Sequence, residues 1–491
     1  MIYTICGLEN DHPVRDMLFN LFPAEVPERV DIIPDGADAL GISVEEMGME
    51  TRIRVCCMRG GRQVCTERTA PKYEDAVQTK RAQTHALKLA IYDAVLPFLK
   101  TVPEWGALTG VRPAKFARGF LERGYSPAQV AQLMTDTYHV SAARRALAIR
   151  SAGIALDCKN KLQPNDISVY IGIPFCPSRC SYCSFVSHSI EKAGKLMDAY
   201  LETLCGEITH TGEILRQAKL RIVSIYIGGG TPTTLSADQL RQLLHTVRGA
   251  LDLSASEEFT VEAGRPDTIT EEKLRVLKQY GVDRISINPQ SMNDTVLAAI
   301  GRRHSAQQVL DTYQMARRVG FSAINMDTIA GLDGDTPESF AHTIDTLIAL
   351  QPENITVHTL AAKRGADQQD RVRNAEKQQT VRQMLDVASQ KLTAAGYAPY
   401  YLYRQKFMAG GFENVGWCKM GFVCKYNIYM MEELQTIVSL GAGGVTKLLG
   451  RDGRKIRRMN NPKYPYEYNV SLETINAGKQ AILAWAAEQQ A

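Results

Sequence analysis

The chain has 491 residues, 45% of them hydrophobic and 22% charged, an ordinary composition for a globular protein and enough length for two or three domains. A net charge of +4 over that length leaves no electrostatic footprint for nucleic acid. The opening MIYTICGLENDHP lacks a basic n-region, and no apolar run approaches the ~20 residues that span a bilayer. The expected location is therefore the cytoplasm, with neither nucleic acid nor membrane as partner.

In chain order, residues 1–160 read as an N-terminal α+β domain. Residues 51–57 alternate as a strand, and Gly60–Gly61 suits a hairpin turn into 63–68. Helices are expected over 73–99 and 114–123, with a Gly/Pro-punctuated loop at 105–113, and polar 157–166 reads as a linker. From residue 168 short β-branched runs recur at 168–173, 222–228, 258–262, 283–288, 323–329 and 354–360. Helix-period segments separate them at 196–218, 237–251, 271–280, 306–319 and 337–350. Six β–α units predict a parallel sheet with helical crossovers over 165–365: an α/β fold, a partial (β/α)6 barrel of the TIM type. Polar or Gly-rich residues cluster just after the strands, at Cys176, Gly228 to Thr231, Glu262, Gln290 and Asp327, where barrels carry their chemistry. Residues 366–491 read as a C-terminal α+β region covering the barrel, with a helix over 374–395, aromatic-rich 397–403 and Gly-rich 408–415.

Eleven cysteines cannot all be paired, and three fall in one window, YIGIPFCPSRCSYCSF over 170–185. Cys176, Cys180 and Cys183 lie on a loop directly after a strand. A zinc site normally recruits four protein ligands, whereas three thiolates on one tight loop suit three corners of a single [4Fe–4S] cube. The fourth iron is then open to a chelator. S-adenosylmethionine supplies one through its amino and carboxylate groups, and an electron from the cluster would cleave its sulfonium C–S bond to a 5′-deoxyadenosyl radical. Cys418 and Cys424, two thiols without nearby partners, make no second cluster. The basic run 451–458 suits either propionates or a solvated hairpin.

The cysteine spacing resembles that of the radical S-adenosylmethionine superfamily. The residues around it resemble the oxygen-independent coproporphyrinogen III oxidase (coproporphyrinogen dehydrogenase) family, in its HemZ-like branch. The resemblance is strong over 169–360 and moderate over 414–468, and within 1–160 it rests on WGALTGVRPAK at 105–115. It implies that Gly229, Gly230 and Thr231, in the Gly-rich 225–233 motif, meet the amino-acid end of S-adenosylmethionine. Glu262 would meet its ribose, and Tyr170 would contact the same molecule. Gln290, Arg302, Asp327 and Tyr182 match positions around a second S-adenosylmethionine, with Arg302 pairing its carboxylate. No residue is assigned a catalytic role. The resemblance further implies a tetrapyrrole substrate, a reducing partner such as flavodoxin or ferredoxin, and conversion of coproporphyrinogen III to protoporphyrinogen IX by two oxidative decarboxylations. The alternatives are a haem-binding chaperone on the same scaffold, or radical chemistry on another tetrapyrrole. Several positions depart from the pattern. Gly172 stands where well-known oxidases carry a His, Pro266 falls one residue late, and Asn288-Pro289-Gln290 replaces Gly-Val-Gln. In the C-terminal region, 413–417, 426–429 and the glycines of 441–444 resemble the substrate cover. There the haem chaperones' His-Asn-x-x-Tyr-Trp motif has Tyr426 for its His and Met430 for its Trp.

Overall fold

The computed structural model describes residues 1–490 except 23–24, 111, 184–186, 362–374, 406–408, 452 and 454. The chain divides into two compact units. One comprises Met1–Ile149, Ala361–Arg382 and Arg404–Glu413; the other comprises Arg150–Leu360, Gln383–Tyr403 and Asn414–Ala491.

The first unit holds a five-stranded sheet of β1 (Ile2–Cys6), β2 (Glu28–Arg29), β3 (Ala39–Met47), β4 (Glu50–Arg59) and β5 (Arg62–Pro71), in the order β2-β1-β3-β4-β5. Gly60 and Gly61 both take positive φ, +57° and +75°, as a two-residue turn of matching twist requires. With Arg59 opposite Arg62, the antiparallel register brings Cys56 opposite Cys65, and these two form a disulfide. Alternation along β4 buries Thr51, Ile53, Val55 and Cys57 on one face. Its helices are α1 (His12–Leu21), α2 (Ala76–Val95), α3 (Pro113–Leu121) and α4 (Pro127–Asp136), with α2 packed on β4 and β5, and α5 (Ala142–Lys159) belongs to it only as far as Ile149. The linker expected at 157–166 is corrected in part. Asp157, Cys158 and Lys159 complete α5, an Ala-rich helix whose propensity outweighs the polarity of its last turn.

In the second unit β6 (Asp166–Ile173), β7 (Arg221–Gly229), β8 (Glu258–Gly264), β9 (Arg284–Ile287), β10 (Ala323–Ala330) and β11 (Asn354–Thr359) are parallel neighbours in chain order. Between them run α6 (Met197–Gln217), α7 (Ala237–Ala250), α8 (Glu271–Gln279), α9 (Ala306–Val319) and α10 (Pro337–Leu350). Ser236 with Gln239 and Ser305 with Gln308 form capping boxes that fix the starts of α7 and α9. The six β–α units read from the sequence are therefore the partial barrel of the structure.

After α11 (Ala375–Ala394) come β12 (Ala398–Tyr403), β13 (Asn414–Cys418), α12 (Lys425–Glu432), β14 (Thr436–Leu440), β15 (Val445–Leu449) and β16 (Ile456–Asn460). The C-terminal strands join both edges of the barrel sheet, whose order is β12-β13-β11-β10-β9-β8-β7-β6-β14-β15-β16. The β14 strand is parallel to β6, while β13 and β15 run antiparallel to their neighbours. The Gly-rich stretch expected at 408–415 lies in part outside the described residues, as does the basic run 451–458. No helix among the described residues is long and apolar enough to cross a membrane.

Period-two alternation divides the parallel strands into two faces. Ile167, Val169, Ile171, Ile225, Ile227, Val261, Ile285, Ile324 and Ile355 form the apolar face and are almost fully buried. The other face is polar. Tyr170 is in register with Tyr226, Tyr226 with Thr260, and Thr260 with Arg284, while Asp327 pairs with Thr356.

Candidate functional site

The polar face carries its functional groups at the strand C-terminal ends. Two residues before Gly172 and Gly228, Tyr170 and Tyr226 lie stacked with ring centroids 6.3 Å apart, and Tyr426 of α12 stacks on Tyr226 at 4.5 Å. The Tyr226 hydroxyl donates to Glu262 Oε1 at 2.5 Å, and the Gly229 N–H donates to Oε2 at 3.2 Å. Burial raises the Glu262 carboxyl to a pKa of about 7, helped by the negative charge of Asp327 and opposed by those two bonds. Burial would raise Asp327 as well. His358, with Nε2 3.7 Å from Asp327 Oδ2, and the Asn325 amide, 2.7 Å from Oδ1, bring it below the usual carboxylate value instead.

Gly229 (φ +111°) and Gly230 turn the chain tightly after β7, and a Cβ on Gly230 would stand 2.5 Å from Phe175 O. The amides of this turn are engaged within the protein. Gly229 N–H bonds Glu262, Gly230 N–H bonds Ile173 O at 2.8 Å, and Thr231 N–H bonds Phe175 O at 2.7 Å. What these glycines offer is close approach to bare backbone.

Cys176 and Cys180 are buried and Cys183 is half-buried. Thr231 Oγ1 is 3.5 Å from Cys176 Sγ. Arg265, almost fully buried after β8, forms a two-pronged pair with Asp267 at 3.0 and 2.8 Å. Its other arm reaches Ser178 Oγ at 2.8 Å and stands 4.0 Å from Cys180 Sγ. The loop is also docked by Ser181 N–H on Ile300 O at 3.2 Å. Thiols on one loop beside a guanidinium are the donor chemistry of an iron–sulfur cluster. The corners of a cube bind separate irons, so these thiols need not crowd as ligands of one ion do. No three His, Cys, Asp or Glu side chains among the described residues are grouped so as to hold a single metal ion.

Arg302 Nη2 donates to the Tyr182 hydroxyl at 2.7 Å, and Nη1 to Asn288 O at 3.5 Å. Burial disfavours the Arg302 charge, but Tyr182 and Cys180 outweigh that and raise its pKa. Gln290 sits at φ +70°, its N–H on Asp327 O at 2.9 Å and its carbonyl accepting from Thr328 Oγ1 at 2.8 Å. Gln290 Oε1, Arg302 Nε and Asn288 Oδ1 are buried without a hydrogen-bond partner. The structure thus joins Gln290 to Asp327 through backbone and Arg302 to Tyr182, and it groups Asp327 electrostatically with Glu262 and His358.

Sequence reasoning missed Tyr226, Arg265 and His358. Tyr226 had a signal, since Tyr-Ile-Gly occurs at both 170–172 and 226–228, ending adjacent strands in the same way. Arg265 had a weaker one: a charge between Gly264 and Pro266 at a strand end must find a partner if buried.

Beside this site, Gly172, Gly229, Ala442, Asn460, Asn461 and Lys463 line a cavity of about 520 Å³. The 441–444 loop at its edge is pinned by buried groups. Gly441 N–H donates to Glu207 at 2.8 Å, Asn461 donates to the same carboxylate at 2.8 Å, and Lys479 lies 3.1 Å from it. The Tyr200 hydroxyl donates to Gly172 O at 2.6 Å and accepts from Ala442 N–H at 3.0 Å.

Residues 170–347 match the family model of the radical SAM superfamily. The chain is similar to the oxygen-independent coproporphyrinogen-III oxidase-like protein HemZ of Bacillus subtilis, 40% identical over 378 residues covering 75% of each chain. It is also similar to the haem chaperone HemW of the same organism, 39% identical over 194 residues that cover 39% of this chain and 50% of that one. Among solved structures, the coproporphyrinogen III oxidase HemN of Escherichia coli, described as a radical SAM enzyme, shares the fold. Its TM-score is 0.51 at 23% identity, covering 66% of this chain and 72% of that one. With three quarters of both chains aligned, this protein belongs to the radical SAM superfamily and, within it, to the oxygen-independent coproporphyrinogen-III oxidase-like HemZ family, whose radical chemistry uses a [4Fe–4S] cluster and S-adenosylmethionine.

Proposed function

We propose that the protein is an oxygen-independent coproporphyrinogen III dehydrogenase, acting in the cytoplasm on two propionates of coproporphyrinogen III to give protoporphyrinogen IX. Cys176, Cys180 and Cys183 hold one [4Fe–4S] cluster. The cluster and S-adenosylmethionine together supply one-electron chemistry that removes a hydrogen atom from unactivated carbon. Each propionate then loses CO2 and one electron to an acceptor, leaving a vinyl group, and a flavodoxin- or ferredoxin-type donor supplies the reducing electron.

The chain's own residues orient the parts. Glu262, held by Tyr226 and Gly229, accepts the ribose hydroxyls of one S-adenosylmethionine, with Tyr170, Gly230 and Thr231 alongside. Arg302, kept protonated, pairs with the carboxylate of a second, and Gln290 and Asp327 meet its polar groups. Asn460, Asn461 and Lys463 in the cavity beside Gly172 are suited to propionates. No side chain at Gly172 occupies the place of the oxidases' His, so proton delivery from that position is not part of this reading.

The observation that carries the proposal is the second polar set. Arg302 and Gln290 hold buried atoms with no partner in the fold, available to a second cofactor molecule. The test is an anaerobic assay with reduced enzyme, S-adenosylmethionine and coproporphyrinogen III, followed by product chromatography, with equilibrium binding alongside. Wild-type chain binds two S-adenosylmethionine molecules. Arg302→Ala keeps the cluster, binds one and makes no protoporphyrinogen. If wild-type chain binds one, a one-radical reaction on another tetrapyrrole is the better reading.

The likeness to the haem chaperone HemW favours a second reading, haem carriage. Against it, Tyr426 is 4% exposed within the tyrosine stack, and its phenol takes the place of the chaperone motif's imidazole. A haem titration followed by absorbance separates the two readings, and no ligation spectrum is expected.

A further inference from the structure

The WGALTGVRPAK motif belongs to the first compact unit and builds a cavity there. Its loop is a fixed wall. The Trp105 indole N–H donates to Glu413 at 2.7 Å, and Glu413 is ion-paired with Arg144 at 2.9 Å. Arg404 Nη1 donates to Leu108 O at 2.6 Å, Ala107 N–H to Tyr138 O at 2.8 Å, and Lys88 Nζ to Thr109 Oγ1 at 2.9 Å. At Gly106 (φ +50°) a Cβ would stand 1.9 Å from Tyr138 O, so only glycine lets the loop press this closely on residue 138.

Facing this wall, α2 places Lys80, Thr84 and Lys88 four residues apart on one side, with Arg81 next to them. The space between is about 580 Å³, within the range of small-molecule sites. Its interior is apolar, with Leu89, Leu108 and Phe116, and its edge carries Lys80, Arg81 and Lys88, while no acidic side chain among the described residues lines it. His85 at its side meets the Tyr138 hydroxyl at 3.1 Å. Burial, then the charges of Arg68 and Lys88, push the His85 pKa down.

We propose that this cavity binds an organic anion with an aromatic or aliphatic body. Its charged group is held by Lys80, Arg81 and Lys88, and its apolar part lies against Leu89, Leu108 and Phe116. The preformed wall means that binding need not order the loop, a saving that favours affinity.

The test uses the full chain and two fluorescent dyes of similar body, anionic 8-anilinonaphthalene-1-sulfonate and neutral N-phenyl-1-naphthylamine. Two variants alter exposed positions only, Lys80→Glu/Arg81→Glu and Val77→Asp, Val77 being a 57%-exposed lining residue. Each is expected to weaken the anionic dye about tenfold and to leave the neutral dye within about threefold, with an unchanged melting curve. The proposal is overturned if the anionic dye binds both variants as it binds wild type, or if both dyes weaken equally.

Discussion

The two ends of the polar barrel face use the same residue types in opposite ways. At the strand N-terminal ends, Glu258 accepts from the backbone N–H of Lys425 at 2.8 Å and of Tyr426 at 3.2 Å, and from Cys424 Sγ at 3.3 Å. Arg284 donates to Asn354 Oδ1 and to the carbonyls of Phe422 and Val423 at 3.1 and 3.3 Å, and its Nε lies 3.8 Å from Glu258. Glutamate, arginine and asparagine there bind one another and the segment leading into α12, which sets Tyr426 in its stack. At the C-terminal ends Glu262, Arg302, Gln290 and Asn288 present a similar list. Yet Glu262 has its pKa lifted to about 7 and Gln290 is strained. Buried atoms without a partner occur at both ends, Arg284 Nε among them, so a shifted carboxyl and a strained backbone, not unsatisfied capacity, mark the C-terminal end as a place for a ligand. The closed end holds the fold together, and the open end is held ready.

The sharpest way to break this contrast is at the cysteine loop. Anaerobic reconstitution of wild-type chain should give about four irons per chain. Cys176→Ala, Cys180→Ala and Cys183→Ala should each abolish the brown chromophore. A full cluster in any one of them would remove that residue from the ligand set.

The next largest effect belongs to the closed end. Arg284→Ala leaves Glu258 without its cation and takes a donor from Asn354 Oδ1 and from the Val423 carbonyl, while the Phe422 carbonyl keeps the Asn354 amide. Breaking a buried charged network from one side costs about 3–5 kcal/mol, so denaturant unfolding of the full chain should show a loss of that size. S-adenosylmethionine affinity at temperatures where the variant is folded should stay near wild type. A stable variant with weakened cofactor binding would reverse the roles assigned to the two ends.

The contrast also explains what the sequence made legible. The six β–α units show in their hydrophobic runs because burial of the apolar face imposes a strong period. The cysteine loop shows because three thiols at tight spacing have few other uses. Glu262 and Asp327 show by their place in the C-terminal halves of strands, and Gln290 by its place just after one. The partnership of Asp327 with Glu262 and His358, rather than with Arg302, depends on how neighbouring strands sit in register, and no local pattern carries that. Nor does one reveal that the C-terminal strands extend both edges of the barrel sheet, because edge pairing is a long-range choice. The Cys56–Cys65 disulfide was closer to hand. The turn expected at Gly60–Gly61 already sets the two cysteines opposite each other, but counting cysteines along the chain does not see across a hairpin.

A smaller effect sharpens the open end. If Glu262 accepts ribose hydroxyls as a carboxylate, S-adenosylmethionine affinity should rise with pH through about 7, where that carboxyl ionises. The Tyr226 hydroxyl bond lowers the Glu262 pKa, so Tyr226→Phe should move the midpoint to higher pH and weaken binding a few-fold near neutrality. Equilibrium binding across about pH 6 to 9 reads this directly. A pH-independent affinity in both proteins would take Glu262 out of the cofactor site.

The smallest effect is the most discriminating, because it separates strain kept for function from strain that is incidental. Gln290 holds φ +70°, a region that costs a non-glycine residue about 1–2 kcal/mol. The bonds that fix it there are backbone ones. Its N–H lies on Asp327 O at 2.9 Å, and its carbonyl accepts from Thr328 Oγ1 at 2.8 Å and Ile329 N–H at 3.1 Å. Glycine keeps all three and relieves the strain, while its greater freedom in the unfolded chain takes back part of the gain. Gln290→Gly should therefore leave stability unchanged or raise it by less than about 1 kcal/mol. The Gln290 carboxamide oxygen is buried without a partner, so the fold loses no bond there when it goes. Binding of the second S-adenosylmethionine should nonetheless weaken, because that oxygen is among the groups proposed to meet it. Stability that holds while the second binding event fades would show the strain is carried for the ligand. A loss of more than about 1 kcal/mol with binding intact would mean that the side chain supports the fold, and Gln290 would then belong with Arg284 at the closed end.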